Sequence, residues 1–197
     1  MVRDVIARLQ LAARGAAMGT GTEATFEPTG GVYSLLPNDV LGQLMQRSLQ
    51  QVGGVIYDAA DTAFAQQLQQ TLQQRPALES AAALEPYSAE QAGGASTDVG
   101  DVSWNVPTAG LSTATWVPGT PAHSWQAVAA SGAPIGTKGA LNAARVLALT
   151  TVALLQSPQT VAQARQEFER RRGTGFRYVP LLERTAPPLD YRSKAKE

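Results

Sequence analysis

Across 197 residues the sequence has no cysteine and only one histidine, His123. The missing cysteines rule out a disulfide framework, a thiol nucleophile and a cysteine-rich zinc site. They also suit a reducing compartment, so a cytoplasmic location is expected. Excess charge is missing too. The 16 acidic and 16 basic residues leave no net field to draw the chain to nucleic acid or a membrane surface, and neither is expected as a partner. No apolar run reaches the roughly 20 residues of a membrane span. The longest, Ala140 to Leu155, is interrupted by Asn142 and Arg145. Residues 1–15 space their apolar side chains helically between Arg3, Asp4, Arg8 and Gln10, unlike a signal peptide.

What is present concentrates in one stretch, Ala95 to Gln126. It holds His123, all three tryptophans (Trp104, Trp116 and Trp125) and two carboxylates three residues apart, Asp98 and Asp101. Leu111 to Val117 has strand character and leads through Pro118-Gly119-Thr120-Pro121 to the histidine. A strand that ends in a Gly/Pro turn can fix and expose one polar side chain.

The flanks read mostly as helices. Apolar spacing predicts helices over 2–14, 37–52 and 61–74, the second opened by Pro37-Asn38 and stopped by Gly53-Gly54. Residues 139–155 are apolar on nearly every side and predict a buried helix. Ser157-Pro158 predicts the start of another helix, running to about Arg172. Thr22 to Glu27 reads as a lone strand. An isolated strand leaves its backbone groups unpaired, so it needs a distant partner or the rest of its sheet. The fold class expected is α/β, with the 111–117 strand in a sheet packed by the 139–155 helix.

Each candidate residue has a structural reading beside the functional one. His123 reads as a hydrogen-bonded loop residue or a ligand. Asp98 and Asp101 read as residues of a helix N-terminus, with Ser96, Thr97 or Asp98 as cap, or as a pocket wall. The tryptophans read as core. No nucleophile motif accompanies His123 to make a serine triad. Gly136-Thr137-Lys138-Gly139 lacks the spacing of a phosphate loop. Arg165 and Arg170 to Arg172 form a basic helix end, which the helix dipole favours and solvent tolerates.

Ser96-Thr97-Asp98-Val99-Gly100-Asp101-Val102-Ser103-Trp104 and Ala114-Thr115-Trp116-Val117-Pro118-Gly119-Thr120-Pro121-Ala122-His123-Ser124-Trp125 resemble the C-terminal active-site segments of zinc-dependent amidohydrolases. That family includes aminoacylases, hippurate hydrolases and carboxypeptidases. Phe26 to Tyr33 and Leu35 to Asn38 resemble its return from lid to catalytic domain. The resemblance implies the C-terminal part of a zinc-exopeptidase-like catalytic domain, residues 31–197, after a remnant of the lid or dimerisation domain, residues 1–30. It implies two divalent ions, of which zinc is the expected kind, and hydrolysis of an amide bond in p-aminobenzoyl-glutamate or a related N-acyl amino acid. His123 matches the late metal-ligand histidine. Ser96, Asp98, Asp101 and Gly119 fall in the segments that would line the substrate pocket. Thr137 stands where close relatives are expected to carry histidine.

The family's early metal-binding motifs and its Glu-Glu pair, which supplies the general base, have no counterpart here. The implied protein is therefore a fragment, inactive alone, whose missing N-terminal half is supplied in cis or trans, with a homodimer or heterodimer as the assembly. The alternative is a non-catalytic remnant or a split subunit that binds a partner.

Overall fold

The computed structural model describes residues 2–89, 96–182 and 189. The chain divides into two compact units, residues 1–33 with 179–197, and residues 34–178.

In the first unit, α1 (Val2–Thr20) runs well past the predicted end at residue 14 and carries Gly15 and Gly19 within it. It stops where the Thr22 N–H returns to the Ala17 carbonyl at 2.9 Å. That bond satisfies one of the carbonyls a helix end leaves open. Of α1 only Ala17 is buried, and Val2, Val5, Ile6 and Leu9 are exposed. Residues 22–27 are extended and exposed but form no strand. Tyr33 ties the unit together, donating its hydroxyl to the Val179 carbonyl at 2.9 Å.

The second unit is a helical assembly. Its α-helices are α2 (Asp39–Val52), α3 (Ala59–Gln69), α4 (Val99–Ser103), α5 (Trp125–Ser131), α6 (Pro134–Gln156) and α7 (Pro158–Arg172), with a 3-10 turn at Leu78–Ala82. Helix α6 packs on α2, α5 and α7, and α2 also packs on α7. Local chemistry sets the starts. Asn38 Oδ1 accepts the Leu41 N–H, Ser124 Oγ the Ala127 N–H and Ser157 Oγ the Thr160 N–H. Proline fills the first helical position of α6 and α7, where no donor is needed. The α6 residues that become buried, Ile135, Gly139, Asn142, Val146 and Thr150, recur at steps of three and four and form one face.

The expected sheet is absent: among the described residues there is no strand, which overturns the α/β assignment. Residues 111–117 form no strand and find helices and side chains in place of one. Thr113 Oγ1 donates to the Gly139 carbonyl at 2.9 Å, and the Trp116 carbonyl accepts from the Tyr57 hydroxyl at 3.3 Å. The segment lies so close to α6 that a Cβ on Gly139 would come within 2.5 Å of the Ala114 carbonyl oxygen. Val117 is buried against Ala65 and Leu68 of α3, Ala130 of α5 and Ile135 of α6. Strand character in the sequence therefore marks a stretch that a helical surface can bury as readily as a sheet.

The sequence predicts burial of α6 on nearly every side, and the structure differs. The helix is long and apolar enough to cross a membrane by length and composition alone, with a mean hydropathy of 1.3, yet only 22% of that window is buried. Leu141, Leu147, Leu149, Val152 and Leu155 are exposed.

Candidate functional site

The loop before α5 is built by a turn and a cap. Val117 to Thr120 form a type II turn, closed by the Thr120 N–H on the Val117 carbonyl at 3.1 Å. Gly119 occupies its third position at φ 89. A side chain there would be strained, and its Cβ would lie 2.3 Å from the Gln74 carbonyl oxygen. Gly119 thus lets the loop close onto the segment that follows α3. With Thr120, Pro121, Gln126 and residues 71–74 it lines a cleft of about 610 Å³. The buried Thr120 Oγ1 on that cleft has no hydrogen-bond partner.

His123 stands immediately before the α5 cap. Ser124 Oγ donates to the Pro121 carbonyl at 2.7 Å and accepts from Ala127 N–H at 3.1 Å, which fixes the loop on both sides of the histidine. His123 is exposed, and its φ of 57 makes it the one non-glycine residue with a positive φ among those described. Histidine tolerates this left-handed conformation better than most residues, but it still carries strain.

Ser96, Asp98 and Asp101 lie elsewhere, at and within α4. Asp98 occupies the cap position but makes no side-chain capping bond. Thr97 Oγ1 instead accepts the Val99 N–H at 3.3 Å. Ser96 and Asp98 are exposed, Asp101 is half-buried in the first turn, and none of the three lines the cleft beside Gly119. Among the described residues no three His, Asp or Glu side chains gather into a group that could hold a metal ion.

The tryptophans are not core. Trp125, the first residue of α5, is 61% exposed. Trp116 is partly exposed and donates Nε1–H to Ser131 Oγ at 2.9 Å. Trp104 donates to the Ser34 carbonyl at 2.7 Å and packs on Phe176, with ring centroids 4.4 Å apart. Each of these two has a polar end that needs a partner, which draws the ring to the edge of the fold.

Two charged clusters escape a motif-based reading. In the first, Lys138 of α6 bridges Asp58 and Asp61, with Nζ 2.7 Å from Asp58 Oδ2 and also bonded to Asp61 Oδ2. The two carboxylates also form the capping box of α3. The Lys138 bond and the backbone donors around it hold Asp58 down at about 2, and the same carboxylates push Lys138 up. Burial, helped by the Asp61 charge, raises the Tyr57 phenol. The Asp-x-x-Asp spacing ahead of α3 is a sequence signal for the box. Its lysine, 77 residues further on, has none.

In the second cluster Glu167 of α7 caps a different helix. Its carboxylate accepts the N–H groups of Asp39 and Val40 at 3.1 and 2.9 Å, the first turn of α2. Arg171 bonds both Glu167, at 2.8 Å, and Asp39. The Tyr87 hydroxyl donates to Asp39 Oδ1 at 2.6 Å, and burial followed by that bond lifts the phenol to about 12. The basic end of α7 is therefore in part a buried pairing device, where the sequence suggests only a solvated, dipole-favoured surface.

The chain is 30% identical over 211 residues to a p-aminobenzoyl-glutamate hydrolase subunit of Escherichia coli (strain K12). The match takes in 94% of this chain and 44% of that relative, so the chain spans less than half of the relative's length. This similarity accords with the amidohydrolase resemblance read from the sequence. No family model and no solved structure matches the chain.

Proposed function

We propose, from that relationship, that this chain is one part of an amidohydrolase acting on p-aminobenzoyl-glutamate or a related N-acyl amino acid. The observation that carries the reading is the similarity along 94% of the chain to a subunit of a hydrolase of that name. Polypeptide corresponding to the rest of the relative, in the same chain or another, completes the enzyme in a cytoplasmic assembly.

The residues present do not fit a zinc site by themselves, because a catalytic zinc takes three protein ligands and these helices bring no such group together. What supports a role for His123 is its presentation, on a loop held by Pro121 and Ser124 and with an exposed imidazole. In this reading it offers one donor to a metal whose other ligands lie on the complementary polypeptide. Gly119 and the cleft beside it contribute to substrate binding, and Ser96, Asp98 and Asp101 of the α4 region form a second wall.

The test is release of p-aminobenzoate from p-aminobenzoyl-glutamate. The expected result is no turnover by the chain alone, turnover when the remainder of the relative is supplied, and at least a hundredfold loss with His123→Ala. Substituting an exposed residue should leave the fold intact, as far-UV circular dichroism would check. Turnover that ignores His123→Ala would overturn the ligand role. A stable complex without turnover would favour the second reading, a non-catalytic, partner-binding chain, which the lack of a three-ligand group supports.

A further inference from the structure

The outer side of α6 carries an apolar stripe that nothing in its own unit covers. Leu141, Val152 and Leu155 are 54, 48 and 79% exposed, with Ala144 and Ala148 between them on the same side. At 1.5 Å per residue the stripe is about 21 Å long. At its N-terminal end it runs into a cavity of about 340 Å³, walled by Val52, Val55, Ile56 and Leu141. Ile56 on the rim is 79% exposed. Gly54, Lys138, the buried Asn142 and the exposed Arg145 complete its lining.

We propose that this stripe and the cavity at its end are the docking surface for the complementary polypeptide of the hydrolase, whose own apolar side chains cover it. The proposal rests on the amidohydrolase reading and deepens it by naming the surface. The occupant follows from the homology: more than half of the homologous hydrolase subunit lies outside the match, so the matched region there is accompanied by a large amount of further chain. The cavity's lining points the same way, since Lys138 and Arg145 beside the apolar wall suit a folded polypeptide, which carries acceptors as well as apolar side chains, better than a lipid tail.

The probe is the part of the Escherichia coli relative outside the matched stretch, co-expressed with this chain and sized by chromatography with light scattering. The expected result is a one-to-one complex. A Leu141→Asp, Val152→Asp double variant should weaken it at least tenfold, and Val161→Asp on α7 should leave it unchanged. All three positions are exposed, so circular dichroism of the free variants should match the parent. Undiminished binding by the double variant, with p-aminobenzoate release restored, would overturn the docking surface while leaving the function standing. No complex with the parent chain would overturn both. A parent dimer that the double variant converts to monomer would assign the face to a second copy and overturn the proposal. Parent binding to phosphatidylcholine vesicles that the double variant lacks would assign it to a membrane, with the same consequence.

Discussion

The two sides of α6 are made from similar residues and have opposite fates. The inner side places Ile135 and Val146 at full burial and Thr150 nearly so, against α2, α5 and α7. The outer side leaves Leu141, Val152 and Leu155 in solvent. Hydropathy alone cannot separate them, since both sides are apolar. What separates them is which neighbours the chain folds against the helix, because burial depends on the surface removed from water and not on the residue's own character. Polar chemistry follows the same division. The bonds that Lys138, Asn142 and the Gly139 carbonyl of α6 make to other segments all run within the second unit, to Asp58, Gly53 and Thr113.

If the inner side carries the stability, the largest loss comes from emptying it. Ile135→Ala, at a fully buried position, should cost about 2–5 kcal/mol in chemical denaturation, from lost transfer energy plus the cavity left behind. A loss under about 1 kcal/mol would mean that the inner seam is soft. Next comes the polar staple between α7 and α2. Glu167→Ala should cost about 3 kcal/mol, because it strands two N–H groups of α2 and leaves Arg171 with Asp39 alone. Glu167→Gln should recover part of that loss, since its side-chain oxygen can still accept.

A smaller effect is expected at the border between the two sides, where Lys138 meets Asp58 and Asp61. Asp58 is held at about 2 against an ordinary value of 3.8, so its charged form favours the folded state. Its contribution is fully present above pH 3.8 and lost as the pH falls through about 2. The thermal midpoint should therefore drop over that window, and more gently in Lys138→Met. Identical acid profiles for the two proteins would show that the pair does not couple to folding. Smallest of all, Leu155→Ser on the outer side should change the stability of the isolated chain by no more than about 0.5 kcal/mol. A larger loss would mean that the outer side is covered in the isolated chain.

The sequence alone determined most of the helices and their starts, because those depend on contacts within a few residues. Asn38, Ser157 and Pro158 lie next to the backbone groups they serve. It also determined the 117–120 turn, whose Pro-Gly pair has few other uses. It did not determine that 111–117 would lie along helices, because strand character in a sequence does not name the partner that buries it. Nor could it pair Lys138 with Asp61, Glu167 with the first turn of α2, or Arg171 with Asp39. Those partners are 77 or more residues apart. Bonds over such separations exist only once the chain is folded, and only tertiary structure could choose them. It alone also chose which side of α6 is buried, and it placed His123 in a left-handed conformation on an exposed loop.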